Sequence, residues 1–373
     1  MGFKSGSMEN LAIANKNFWE NKTILVTGHT GFKGSWLSFW LERLGATVWG
    51  ISLNPDNENS LYEKLICCNK NLFGSKNIQS IINDIRDFEK IQETVEIIQP
   101  DIVFHLAAQP LVSIGYQRPR YTWDVNIQGT INLLESIKIL NKFCSVIVTT
   151  TDKVYLNREW EHGYRESDTL GGHDPYSASK AATELLVESW RLSFCGNHSY
   201  QKENINIATA RSGNVIGGGD WTKGRIIPDI VSSIKTKSNI KLRNPESTRP
   251  WQHVLEPLNG YLLLAEYMYK SRTKDCCQFN FGPEISSNIK VKDIVEYGTK
   301  NSEIFWINEN EENSPHEANL LHLSSDKAKN VLKWSTKWNL FKTLDKTFKW
   351  YEDFDNGISA LECCNEDLDD FIK

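Results

Sequence analysis

The first long apolar run, "KTILVTG", shows no polar alternation and closes on a glycine, the pattern of a strand buried on both faces. After "GHTGFKG" the period changes: Trp36, Leu37, Trp40, Leu41 and Leu44 fall on one helical face, and Gly45 stops it. "ATVWGISL" predicts a second strand. A polar, Asn-rich stretch runs from Asn54 to about Ile78, then "IINDIRD", a helical segment and the strand "DIVFHLAA" follow. A helix near Asn126 to Lys142 leads into the strand "SVIVTTT". "DPYSASKAATELLVESWRLSF" reads as a long amphipathic helix and "INIATARSGNVIG" as a further strand. Apolar strands alternating with helices predict an α/β fold, a doubly wound parallel sheet of Rossmann-like type covered on both faces. Past Gly217 the pattern loosens into Gly-rich loops, short strands and helices, which predicts a second, smaller mixed α/β domain over the carboxyl ends of the strands.

Composition narrows the classes. A chain of 373 residues can bury a large core, and 40% hydrophobic with 24% charged residues is an ordinary globular balance. A net charge of −5 without a basic stripe argues against nucleic acid as a partner. No apolar run approaches the ~20 residues that span a bilayer, so no membrane partner is expected. The eight cysteines include the adjacent pairs Cys67-Cys68, Cys276-Cys277 and Cys363-Cys364, without C-x-x-C ligand spacing. Free thiols in a reducing cytoplasm, and no metal, are the expectation.

Gly28, Gly31 and Gly34 stand between the first strand and its helix. Glycines there let the backbone approach a pyrophosphate at the helix N-terminus, and the strand–turn–helix context favours this over a plain tight turn. His29 and Lys33 share the loop, either touching phosphates or solvated. Where a ribose-binding acid would follow, the chain offers Ser52 and Asn54, with Asp56 slightly beyond. No Lys or Arg lies between Gly45 and Glu63 to neutralise a 2′-phosphate, which favours NAD over NADP. The expected organisation is a dinucleotide-binding domain over 17–215 with later returns of the chain, a mainly substrate-binding region over 216–351, and an acidic, solvated tail over 352–373. The segment before Asn17 reads as a disordered leader.

Tyr176 and Lys180 in "YSASK" are four apart on one helical face. A free phenol with a pKa near ~10 is a poor base at neutral pH, and a nearby ammonium lowers that value. Such a pair is common on helix surfaces, but behind a dinucleotide fold it is a candidate base and its support. Thr151, 25 residues earlier, is placed to orient a substrate hydroxyl. Beside it, Asp152 and Lys153 put an acid next to an amine, which alcohol oxidation does not need and an elimination does. The alternative is a solvated loop ion pair of little worth.

With these residues assembled, the chain resembles the extended short-chain dehydrogenase/reductase family, in its CDP-glucose 4,6-dehydratase branch. The resemblance runs from about Asn17 to Tyr351 and rests on "NFWENKTILVTGHTGFKGSWLSFWL", "FHLAAQPLV", "TTDKVYLNREW", "GYRESDTLGGHDPYSASKAATEL", "ARSGNVIGGGDW" and "RPWQHVLEPLNGYLLLAE". It implies tightly bound NAD, regenerated each turnover and held by the loop Gly28, His29, Thr30, Gly31, Phe32, Lys33 and Gly34. Asp84 and Ile85 would lie at the adenine, and Leu106, Ala107, Ala108 and Gln109 would line the cofactor. Tyr176 would act as base, with Lys180 on the nicotinamide ribose. Lys153 replaces the Glu of dTDP-glucose dehydratases, which favours CDP-glucose and leaves the C5 base less defined. The implied reaction is C4 oxidation, loss of the C5 proton (to Lys153) with the C6 hydroxyl leaving under Asp152 as acid, and return of hydride to C6. Asn214, Arg225, Arg249 and His253 are the implied contacts to the nucleotide-sugar. A nucleotide-sugar 4-epimerase is the rival enzyme and a silent NAD-binding scaffold the remoter one. A homodimer through the helices near Asn126–Lys142 and Tyr176–Phe194, or a dimer of dimers, is also implied.

Overall fold

The computed structural model describes residues 12–55, 57–68, 78–196, 204–273, 277–309 and 320–373. Its centre is one parallel sheet of seven strands. Six of them are β1 (Thr23–Thr27), β2 (Thr47–Ser52), β3 (Ile78–Ile82), β4 (Ile102–His105), β5 (Cys144–Thr151) and β6 (Ile205–Ser212), and the seventh is Gln278–Phe281. From one edge the order is seventh strand, β6, β5, β4, β1, β2, β3, so the chain reverses direction across the sheet between β1 and β4. A crevice outside the carboxyl ends at such a reversal is where open α/β sheets bind ligands. Every position of β5 and β6 is buried, as their unbroken apolar and small-polar runs require of strands covered on both faces.

Helix Phe32–Arg43 begins inside the glycine loop and buries more than one face, because Phe39 is enclosed along with Trp36, Leu37, Trp40 and Leu41. The helix expected to run to Lys142 spans Pro119–Ile137 as three consecutive segments, the middle one a π turn at Asp124–Gln128. It stops early because the Asn204 amide donates to the carbonyls of Leu140 and Lys142, folding the chain into a turn before β5.

The later part of the chain is interleaved with the sheet. Helix Leu255–Ser271, buried along most of its length, packs beneath β5 and β6 and feeds the seventh strand. Short ladders pair Val215–Ile216 with Gln252–His253, Ile240–Leu242 with Trp306–Asn308, and Thr248–Pro250 with Asn288–Lys290.

Two expectations about the chain ends are corrected. Of the leader, residues 1–11 lie outside the described residues, but the amides of Ala14 and Asn15 donate to Asn259 and Glu266, so 12–16 are fastened to the body. The acidic segment is not a solvated tail. Residues Ala360–Ile372 form a helix with a Ser359/Glu362 capping box that buries Cys363, Cys364, Asp367, Leu368 and Phe371. Its acids are spaced so that the apolar stripe faces inward. Phe371 packs edge-on against Trp40 at 5.7 Å and Trp338 at 5.2 Å. Arg43, Lys342 and Lys346 receive the outer carboxylates of Asp369 and Asp370. Cys144, Cys195, Cys277, Cys363 and Cys364 are buried. Among the described residues no helix is long and apolar enough to cross a membrane.

Replacing Phe371 by Ala should cost roughly 3–5 kcal/mol of folding stability by chemical denaturation. A loss below about 1 kcal/mol would show that the last helix is not docked as described.

Candidate active site

The glycine loop is shaped by contacts that leave no room for side chains. Gly28 sits at φ +77°, where a Cβ would lie 2.7 Å from the Ala107 amide nitrogen. A Cβ on Gly34 would come within 2.1 Å of the Gly28 carbonyl, so helix Phe32–Arg43 rests directly on the turn. Gly31 is its N-cap and no side chain caps it, so the first-turn amides remain as donors along the cleft wall. Thr30 ties the turn to the end of β2 through Ser52 and the Leu53 carbonyl. A bare cradle of amide donors fits the pyrophosphate of a dinucleotide.

The two side chains left open in that loop go elsewhere. His29 touches no part of the cleft. It is fully buried beneath the turn, 2.7 Å from the Ser80 hydroxyl and edge-on to Tyr62, where Gly50 makes room for its ring. Burial pulls its pKa down to about 4, so it is a neutral packing residue. Lys33 is neither solvated nor aimed along the first turn: its amine crosses to β6 and donates to Ser212 at 2.8 Å. Burial and the Arg225 guanidinium lower it to about 7, against the opposing pull of Asp152, with Lys180 and Lys153 lowering it further.

Around the same end of the cleft stand Asp84, Ile85, Leu106, Ala107, Ala108 and Gln109. Arg86 bonds Asp84 at 2.8 Å and holds its carboxyl below the usual range. The π turn presents Asn126, which accepts from the Gln109 amide and donates to Ser179, joining this loop to helix Pro175–Phe194. Ser52 and Asn54 line the cleft at the end of β2, where a ribose-binding acid is expected, and Asp56 lies outside the described residues.

Strand β5 delivers Thr151 and a short 3-10 turn, Asp152–Val154. Asp152 is buried: one oxygen accepts from Thr151 at 2.9 Å and from Lys153 at 3.1 Å, and the other packs beneath Gly213. The solvated loop pair is thereby excluded, since the Asp152 side chain is only 1% exposed. Thr151 and Lys153 form the cleft surface while Asp152 lies behind it. Across from them, Asp174 caps helix Pro175–Phe194 through the amides of Tyr176 and Ser177, fixing the Tyr176 and Lys180 face toward the cleft.

The expected lowering of Tyr176 by Lys180 is not what the geometry gives. Burial dominates and pushes the phenol up to about 12, with a lowering hydrogen bond from Thr151 and a raising effect from Asp152. The Lys180 amine instead donates to the Thr149 carbonyl at 2.9 Å; burial lowers it to about 8 while Glu184 pushes it back up.

At the far end, Asn214, Arg225 and Arg249 line a cleft of about 1590 Å³, together with Arg243, Lys223 and Lys241. Arg225 is held by Asp220 at 2.8 Å. His253 is not among them. It is fully buried between Trp36 and Trp338, with Asp367 of the last helix 4.0 Å away, because its strand pairs inward with Val215–Ile216. Sequence reasoning missed the buried Glu184–Arg211 pair behind the site, at 2.8 Å. The one available signal was the continuation of the Tyr176–Lys180 spacing by another four residues to Glu184.

A parallel sheet with a bare glycine cradle at its reversal point, facing a Tyr–Lys helix, defines an enzyme of the short-chain dehydrogenase/reductase type. Residues 25–347 match the model of the GDP-mannose 4,6 dehydratase family, and the chain belongs to that family. It is 42% identical over 360 residues to CDP-glucose 4,6-dehydratase of Salmonella typhimurium, covering 96% of this chain and 98% of that one. Two solved structures share the fold. UDP-glucose 4-epimerase of Thermotoga maritima with UDP-glucose has a TM-score of 0.74 at 21% identity, covering 89% of this chain and 99% of its own. dTDP-glucose 4,6-dehydratase of Bacillus anthracis in complex with NAD has a TM-score of 0.70 at 20% identity, covering 91% and 99%.

Changing Gly34 to Ala should abolish dinucleotide binding, because the added carbon must displace the Gly28 carbonyl. Added NAD should raise the melting temperature of the parent protein and leave that of the variant where it was. An equal rise in both would show that the cradle is not the binding element.

Proposed function

We propose that this protein is a CDP-glucose 4,6-dehydratase, converting CDP-glucose to CDP-4-keto-6-deoxyglucose for deoxysugar biosynthesis. The observation that carries the reading is the Asp152–Lys153 pair packed beside Thr151 at the cleft, opposite Tyr176. A 4-epimerase needs the Tyr–Lys pair but has no use for a second acid–base couple. Near-full-length identity of 42% to a CDP-glucose 4,6-dehydratase supports the same substrate.

Bound NAD would supply a two-electron acceptor at C4 and donor at C6, and its oxidised nicotinamide ring would bring a positive charge to the cleft. The first-turn amides of Phe32, Lys33 and Gly34 would hold its pyrophosphate, with Asp84 and Ile85 toward the adenine. Tyr176 takes the proton of the C4 hydroxyl, which Thr151 orients. Because burial favours the neutral phenol, this step depends on the Thr151 hydrogen bond and on the positive charge of Arg225. The C4 ketone then acidifies the C5 proton. The Lys153–Asp152 couple removes that proton, with Lys153 at the surface, and returns one proton to the C6 oxygen, which departs as water. C5 is reprotonated from solvent, so protons taken and given balance. Asn214, Arg225 and Arg249 would bind the sugar and diphosphate, arginine offering two parallel donors to phosphate oxygens.

The enzyme is read as a cytoplasmic homodimer pairing helices Pro119–Ile137 and Pro175–Phe194. Leu185 and Leu192 support this, being more than half exposed on the second of them. Light scattering should give twice the mass of one chain, and a monomer at micromolar concentration would remove the dimer.

Incubation with CDP-glucose in deuterated water should give a 4-keto-6-deoxy sugar with deuterium at C5 by NMR. A C4 epimer without C5 exchange would replace the reading by an epimerase. Asp152→Asn should slow water loss by about 10²–10⁴-fold while nicotinamide reduction persists. An unchanged dehydration rate would remove Asp152 from the chemistry.

A further inference from the structure

Behind the cleft a group of buried polar side chains takes no part in the steps above. Glu184 lies one helical turn beyond Lys180, so Tyr176, Lys180 and Glu184 mark the same face at intervals of four. Each turn meets the end of β5. Tyr176 meets Thr151, Lys180 donates to the Thr149 carbonyl, and Glu184 accepts from the Thr150 hydroxyl. The second carboxylate oxygen accepts from Thr209 at 2.7 Å and from Arg211 at 2.8 Å, both on β6.

Arg211 extends the brace to the other end of the Asp152–Val154 turn. Its guanidinium donates to the Tyr155 hydroxyl at 2.7 Å and to the Glu166 carbonyl, and Tyr155 passes a hydrogen bond to Asn280. Thr150 and Tyr155, the residues flanking the catalytic stretch, are therefore both tied to one ion pair. A buried ion pair is a weak source of net stability, since desolvation offsets much of its attraction. Placement of the catalytic groups is the function that its position suits.

We infer that Glu184 is a positioning residue for the oxidation: with Arg211 it fixes the Thr151–Val154 turn against the catalytic helix, and its carboxylate supplies the negative charge that the buried Lys180 ammonium faces. Glu184 is the anionic side chain that acts on Lys180. Lys33 approaches it from the glycine-loop helix and is repelled by it, and His105 on β4 is a buried neutral ring held low by burial and by Lys180 itself. Burial lowers Lys180 to about 8, and Glu184 opposes that lowering. Removing the carboxylate charge drops the Lys180 value further, so the ammonium that would hold the nicotinamide ribose is lost at lower pH, while Thr150 and Arg211 lose their charged partner.

This inference rests on the reading of Tyr176 and Lys180 as the oxidising pair, and the parent enzyme with CDP-glucose is measured alongside to separate the two. Glu184→Gln keeps the side-chain shape and one acceptor oxygen, with the amide N–H able to donate to the other threonine hydroxyl, while removing the charge. The single-turnover rate of nicotinamide reduction should fall at least about tenfold at pH 8, with its alkaline limb moved down by about one pH unit. CDP-glucose affinity by calorimetry should be unchanged, and Glu184→Asp should restore the limb. If Glu184→Gln does not fold, Glu184→Gln with Arg211→Gln removes both charges together and is read in the same way. A pH profile that coincides with the parent's, or a uniform loss of rate that Glu184→Asp does not repair, overturns the inference. A parent enzyme inert to CDP-glucose overturns the functional reading instead.

Discussion

The structure turns on the register between helix Pro175–Phe194 and the carboxyl end of β5. Three turns of the helix bond to three successive residues of the strand end, and Asp174 sets the phase by capping the helix at its first residue. A parallel strand enclosed on both faces leaves its backbone satisfied by its neighbours, so only its end can carry reacting groups. The cleft depends on that single alignment. A rotation of the helix by one residue, about 100°, would send Tyr176 and Lys180 into the body of the protein together.

Electrostatics follow from this arrangement. Lys33, Lys153, Lys180, Arg225 and Arg249 converge on a cleft in which Asp152, bonded to Lys153, lies behind the surface and Asp220 is already engaged with Arg225. Such a concentration of positive charge is costly in the free protein, and part of the cost appears at Lys33, whose basicity burial and then Arg225, Lys180 and Lys153 depress. An anionic nucleotide diphosphate relieves that repulsion on entering, so binding and the charge state of the catalytic lysines are linked.

The sequence was legible wherever a local period or turn rule decided the outcome. The early strands β1 and β2, the glycine-bearing turn after β1, and the long helix carrying Tyr176 and Lys180 were readable in this way. What was not legible depends on distant partners. His29 and His253 look like polar site residues until Gly50 and the Trp36–Trp338 pair enclose them. Lys33 turns away from its own loop because Ser212 waits on β6. The acidic C-terminal segment was misread from its charge, since an inward stripe of Cys, Leu and Phe only gains meaning when Trp40 and Trp338 provide the surface it covers.

That last contact bears on how the protein is made. Arg43 and Asp369 are 326 positions apart yet joined, and the helix that carries the cofactor cradle is covered by residues the ribosome adds far later. Domains generally fold as units during synthesis, N-terminal first. Here the first βαβ unit emerges with one side of Trp40 uncovered and must wait for Phe371. Nascent chains of this enzyme would expose an aromatic patch throughout most of translation, and a holdase chaperone bound there would be displaced by the chain's own last helix.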